Sequence, residues 1–441
     1  MEHPQYAAIH RIKKELHARV ADPVTAPCRI RHSAYLLPAD DSQTRDLVQR
    51  RFEEIVQSLD VPSTGIHWGQ RNGRFETPLM ENARLRVVWE LHSEFYSYTT
   101  YLLVDPTRYG PDTLVPSFTF PAMPALGTKL VDLDLAVYAG EELSDPLKEF
   151  LGVAPYYGGR VVNGKGQVWT NFQVDEWGQG RFVVRAGSLS PGRLGRLIRR
   201  LVEIENYTHL ILYPLEEYRL QMGTLVQIER RVAQRSEDIA TALFEDESDP
   251  DNEHRKLVAL TRDMADLIRL AERMRHKISA ASSYYAIFTE RFHWLRERTG
   301  GGYQSLEEFL TARIAPAIRN YRNFMDRTEA LNTQITSLGN MMRTRVNLNL
   351  ERQNLQTIQA MNRRVELQLL LQRTVEGLSL IVLCYYLTGL TGYVLKALDV
   401  FFILPAKPEV IAAALIPVWI GAVWTLTRRV THAVEKRVTK G

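Results

Sequence analysis

The chain has 441 residues, of which 45% are hydrophobic and 24% charged, enough apolar sequence to bury a sizeable core. Lys and Arg outnumber Asp and Glu by 55 to 51, a formal net charge of +4 with no dense basic arm, so nucleic acid is not an expected partner. Two cysteines, Cys28 and Cys384, exclude a disulfide framework and a cysteine-rich zinc site.

The opening residues, MEHPQYAAIHRIKKEL, lack the apolar core of a signal peptide, so the domain that follows is expected to be cytoplasmic. Residues 1–214 mix short strands, turns and helices, the pattern of an α/β domain with a mainly antiparallel or mixed sheet. Residues 84–100 alternate as one strand. Leu85, Val87, Trp89, Leu91 and Phe95 face one way, and Arg86, Glu90, His92, Glu94 and Tyr96 the other. Glu90, His92 and Glu94 on one face are the candidate metal site or proton relay, which Glu15, His17 and Arg19 join if folding brings the segments together. The plainer alternative is a face paired with Arg84 and Arg86, or one that meets water.

Further strands are expected at 129–137, 167–174 and 181–185, with turns at 175–180 and at Asn163-Gly164. Ser190 then N-caps a helix from Pro191 to about Glu205, and 209–213 (HLILY) reads as a last strand. Along that helix Arg193, Arg196, Arg199 and Arg200 make either a solvated face or a contact for anionic lipid or another subunit.

From 215 the pattern turns helical. Residues 215–298 read as two long antiparallel helices, 215–243 and 254–298, joined by an acidic turn at 245–253. Its Glu245, Asp246, Glu247, Asp249, Asp251 and Glu253 are either a divalent-cation sensor or a solvated loop. Glycines at 300–302 break the chain, and Ser305 to Glu308 forms a capping box. The stalk helix follows over 303–377, its stretch from Ser305 to Arg373 about 100 Å if unbroken, with Pro316 a tolerated kink. Leu331, Ile335, Leu338 and Met342 form a packing seam, renewed by Leu355, Ile358, Val365 and Leu369. Asn347, Asn349, Asn354 and Asn362 make a polar stripe that is either solvated or lines a passage between copies.

Two uncharged apolar stretches, 378–395 and 410–426, would each reach roughly 25–27 Å as helices, enough to cross a bilayer core. A short segment with Pro405 and Pro408 separates them, so 378–426 reads as a transmembrane hairpin. Arg363, Arg364 and Arg373 precede it, and a basic tail, 427–441, carries Arg428, Arg429, Lys436, Arg437 and Lys440. Both termini are therefore expected in the cytoplasm. No P-loop, dinucleotide fingerprint, His-Glu-x-x-His or nucleophile elbow occurs, and an enzyme is not expected.

Glu15 to Arg19, Trp89 to Phe95, Arg343 to Val346 with Glu351 to Asn354, and Thr374 to Ser379 resemble an uncharacterised bacterial family, domain-of-unknown-function family 3422, described as membrane-anchored. The resemblance implies the bacterial inner membrane and brings no activity. The order of elements also resembles CorA-type magnesium channels: a cytoplasmic α/β domain, two antiparallel helices, a very long helix and two spans. That resemblance implies an α+β, CorA-like homo-oligomer, a pentamer, whose first span lines a pore ending in Gly-Met-Asn. Here Gly392 stands for that glycine, but Tyr393 and Val394 replace the methionine and asparagine. Pore candidates are Glu376 at the inner mouth and Thr388, Gly389, Thr391, Gly392 and Tyr393. For the two glycines, close helix packing is the alternative. The function expected is a cation channel or transporter, the alternative a membrane-anchored scaffold without transport. The bilayer is the expected partner, a divalent cation the only candidate ligand, and no protein partner is named by the sequence.

Overall fold

The computed structural model describes residues 21–38, 42–59, 61, 65–69, 71–80, 82–117, 126–243, 250–298, 302–399 and 406–438. In chain order the elements are β1 (Cys28–Leu36), α1 (Ser42–Ser58), β2 (Ile66–Trp68), β3 (Asn72–Met80), β4 (Ala83–Leu91), β5 (Phe95–Val104), β6 (Lys129–Tyr138), α2 (Asp145–Leu151), β7 (Tyr157–Val161), β8 (Gly166–Val174), β9 (Gly180–Arg185), α3 (Pro191–Leu212), α4 (Leu215–Leu243), α5 (Pro250–Leu295), α6 (Leu306–Asp399), α7 (Pro408–Ala414) and α8 (Ile416–Val438). They fall into two compact units, one of Met1–Phe244 with Arg255–Gly339, the other of Glu245–His254 with Asn340–Gly441.

In the first unit the described strands form one nine-stranded sheet, ordered β2-β3-β4-β5-β1-β6-β9-β8-β7. Every described pairing is antiparallel except β6 with β9, so the sheet is mixed. Apolar residues on alternate positions of β4 meet Val48, Phe52, Ile55 and Val56 of α1, with Trp89 fully buried against Phe52. Farther along, Leu147 and Leu151 of α2 cover Ala136, Tyr138 and Val183. The other face takes α3. His32 pairs in register with Leu133, one residue out of step with Ala136 and Tyr138, and it bonds Asn206 of α3. Helices thus cover both faces of the sheet.

Residues 84–100 are not one strand. The chain turns at His92–Glu94, where the His92 amide donates to Phe95 O, and the expected alternation resets. Tyr96 pairs with Leu91 and joins the Trp89 side instead of the Glu90 side. Residues 209–213 are the end of α3, not a strand. Burial at Ile204, Tyr207, Thr208 and Ile211 continues the helical spacing, and a short apolar run alone does not distinguish the two. Ser190 precedes Pro191 as expected, but its carbonyl, not its hydroxyl, takes the Arg193 and Leu194 amides.

Helices α4 and α5 pair antiparallel. Arg231 reaches Asp263 at 2.8 Å and Asp266 at 3.0 Å, and Lys277 bonds Glu217 farther along. Half of the expected capping box forms at α6, the Glu308 amide donating to Ser305 Oγ at 3.0 Å. The Leu306 and Glu307 amides go to the Glu297 carboxylate instead. Leu331, Ile335 and Leu338 are buried, as a seam requires.

In the second unit α6 runs without a break through the expected first span, within a helix of 94 residues that also carries Pro316. Its most apolar 18-residue window has mean hydropathy 1.7 and is 6% buried, long and apolar enough to cross a membrane. The second apolar stretch is not one straight helix: α7 and α8 meet at Leu415 with a bend of 41°. Pro417, just past the break, has no amide proton to donate to the preceding turn.

Candidate functional site

Under α3 lies a polar network that includes the first candidate cluster. Arg199, half-buried, donates to Glu90 Oε1 at 2.9 Å and to Glu203 Oε1 at 3.0 Å. Glu203 also accepts from Arg291 of α5. Burial opposes the Arg199 charge, but Glu90 and Glu203 outweigh it and hold its pKa above the ordinary guanidinium value. His92 Nε2 stands 3.9 Å from Glu90 Oε2, and its ring stacks on Phe95 at 4.1 Å. Glu94, past the turn, accepts from the Tyr284 hydroxyl at 2.9 Å. The three residues are therefore not on one strand face, and each carboxylate already has a donor. Among the described residues no group of three or more His, Cys, Asp or Glu is placed to hold a metal ion. Glu15, His17 and Arg19 lie outside the described residues.

His32, fully buried beside this network, contacts Thr99 Oγ1 through Nδ1 at 2.8 Å and Asn206 Oδ1 through Nε2 at 3.0 Å. The amide oxygen only accepts, so Nε2 carries the proton and Nδ1 accepts from the threonine. Burial pushes the His32 pKa down to about 4. The cavity between Glu90, His92, Arg199 and Asn206 is about 40 Å³. That holds a water or two and falls far short of the roughly 300 Å³ of a small-molecule pocket. This geometry suits a structural polar core joining α3 and α5 to the sheet. On the other face a second buried pair does similar work: Arg29 holds Asp134 through two bonds, 2.5 and 2.8 Å, with its guanidinium 4.0 Å over the Phe150 ring.

Of the acidic turn, Glu245, Asp246, Glu247 and Asp249 lie outside the described residues. Asp251 is exposed in the first turn of α5, where the helix dipole favours an acid. Glu253 is buried. Its carboxylate accepts from Arg345 Nε at 2.6 Å and from Asn349 Nδ2 at 3.0 Å on both oxygens. Glu253 is thus an anchor for α6, and Asn349 leaves the polar stripe to serve it. Asn347, Asn354 and Asn362 remain exposed.

Along α6, Glu376 is exposed and accepts from Gln372 at 3.1 Å. Thr388 and Thr391 donate to Cys384 O and Leu387 O, both at 2.7 Å, which leaves each hydroxyl oxygen able to accept from water or ligate a cation. Thr388, Thr391 and Gly392 follow at spacings of three and one, close to a single helix face. A methyl group at Gly389 or Gly392 would meet nothing within 4 Å, and Tyr393 is 78% exposed.

Sequence reasoning named Arg199 only within the basic run from Arg193 to Arg200 and missed Glu203, His32, Asn206 and Glu297. The partners that bury Arg199 and His32, Glu90 and Asn206, stand 109 and 174 residues away. The fold splits that run: Arg199 turns into the network, while Arg193 and Arg196 stay exposed. No curated protein and no solved structure gives a significant match to the chain. Over residues 1–434 the sequence matches the family described as "Protein of unknown function (DUF3422)", and the chain belongs to that family.

Proposed function

We propose that the chain is a membrane-inserted homo-oligomer in which the α6 helices of several copies pack around a common axis and pass cations. The observation that carries this reading is the second seam. Leu355, Ile358, Val365 and Leu369 are each 52–54% exposed on a helix that also carries Arg363, Arg364 and Glu366. They precede the apolar window, so lipid is not their expected cover, whereas the same seam of another copy fits them. Covering the exposed half of each side chain is worth about 1 kcal/mol, on the order of 4 kcal/mol per helix. Thr388, Thr391 and the exposed Glu376 would supply oxygen ligands along such a bundle.

The basic residues before and after the apolar segments favour both ends in the cytoplasm of a bacterial inner membrane. The CorA-type likeness supports the reading through the order of elements. Tyr393 and Val394 remove the amide ring on which magnesium selectivity rests in that superfamily, so the proposal names a cation and not magnesium. Mass measurement of the detergent-solubilised particle, followed by flux from liposomes, tests it. A multiple of the 50.6 kDa chain with cation flux lost in Thr391→Trp is expected. A strict monomer overturns the bundle, and an oligomer without flux leaves the membrane-anchored scaffold.

A further inference from the structure

Arg193 and Arg196, both exposed, and the half-buried Arg200 do not stand on a flat face. With Lys165 from the β7–β8 turn and Trp294 and Arg296 at the end of α5, they line a concavity of about 510 Å³. That is within the roughly 300–1,000 Å³ of small-molecule pockets. Five full positive charges converge there, and among the described residues none of the five forms an ion pair with a carboxylate. Glu203, whose charge acts on Arg200, is held by Arg199 and Arg291. Burial, and then the neighbouring guanidinium groups of Arg196, Arg291 and Arg296, push the Arg200 pKa below its ordinary value.

The rim is built rather than incidental. Val162, Asn163 and Arg296 all take positive φ, 52°, 61° and 48°, without being glycine. Asn163 adopts this conformation readily in the tight β7–β8 turn, but for a β-branched valine it is an outlier. Backbone bonds hold it in place: the Val162 amide donates to Leu295 O at 2.9 Å and the Arg298 amide to Arg160 O at 2.8 Å. Arg200 is fixed by donating to Trp294 O at 2.8 Å, its guanidinium 5.2 Å from the Trp294 ring centre. Strained backbone and unneutralised like charge, held around one concavity, lower stability unless an anion enters.

We infer that this pocket binds a small soluble polyanion of the nucleoside polyphosphate class. One phosphate monoester carries about two negative charges, so five cations match a chain of two or three phosphates. Trp294, 48% exposed at the edge, offers a ring on which a base can stack. The site is independent of whether α6 conducts.

The test uses the full chain in neutral detergent with EDTA present, titrated calorimetrically with ATP and with inorganic tripolyphosphate at physiological salt. Saturable one-site binding is expected, weakened on the order of tenfold by each of Arg196→Ala, Arg296→Ala and Lys165→Ala and unchanged by Arg230→Ala. Trp294→Ala should weaken ATP and spare tripolyphosphate. In the absence of ligand, Arg196→Ala should leave the melting temperature unchanged or raised, because it removes repulsion and no ion pair; a misfolding variant would lower it. No saturable binding, or equal binding by all the variants, overturns the proposal. So does displacement of tripolyphosphate by equimolar dioctanoyl phosphatidylglycerol, which would make the ligand a lipid headgroup.

Discussion

Replacing Glu253 separates an anchor from a cation sensor. Its side chain is 8% exposed and that of Arg345 12%, so the 2.6 Å bond between them lies largely out of water. Removing one member of such a pair costs about 3–5 kcal/mol, because the other charge stays desolvated. Arg345 keeps some access to water, which places Glu253→Ala at the lower end, about 3 kcal/mol. Glu253→Gln keeps an oxygen for Asn349 and loses only the charge, so about 2 kcal/mol is expected. Hydrogen exchange of amides 251–260 in the full chain reads this locally. At 1.4 kcal/mol per tenfold, Glu253→Ala should cut protection roughly 100-fold and Glu253→Gln roughly 30-fold. Millimolar calcium or magnesium should leave the wild-type protection unchanged, since Asn349 and Arg345 already occupy the carboxylate. Changes under threefold in both variants, or protection that follows the cation, would refute the anchor and restore the sensor.

Two further outcomes concern the sheet unit. His32 has a folded pKa of about 4 against an ordinary 6.5, so the unfolded chain takes up the proton first as pH falls. Its contribution is complete above about pH 6.5 and is lost toward pH 4. Between pH 7 and pH 5 stability should drop by about 2 kcal/mol, and thermal melts of His32→Gln should show that slope flattened. Gly195→Ala brings a methyl group to 1.9 Å from Asp22 O, where backbone must move, against a helix-propensity gain of about 1 kcal/mol. Overpacking of about 1–3 kcal/mol should win, giving a lower melting temperature; an unchanged or higher one would mean that residues 22–24 yield freely.

The helical half was legible because its periodicity is strong. Residues 215–243 have the same bounds in sequence and structure, and β6, β8 and β9 fall within a residue or two of the expected strands. Strand β1 was not legible: CRIRHSAYL buries Arg29 and His32, whose partners Asp134 and Asn206 stand 105 and 174 residues away. Strand β3 carries Pro78 beside a register shift, which masks its alternation. Glu253 looked like one more solvated acid because Arg345 lies 92 residues on. Burial of a charge is decided by its partner, and a linear chain does not name that partner.

The two apolar segments also differ in how they can carry a mechanical signal. Residues 340–376 of α6 contain neither glycine nor proline, and Gly377 comes first at the edge of the apolar stretch. An unbroken hydrogen-bonded helix transmits axial displacement and rotation along its length, because bending it means breaking or lengthening its ladder. In the proposed bundle a shift at the Glu253–Arg345 anchor would be carried up this stretch to Gly377, one helical segment short of Thr388 and Thr391. The second segment is interrupted at Leu415 and Pro417, so strain entering α8 is absorbed there before it reaches α7. In the proposed bundle the anchored, continuous helix is the one equipped to move pore-lining oxygens, and the broken one to accommodate that movement.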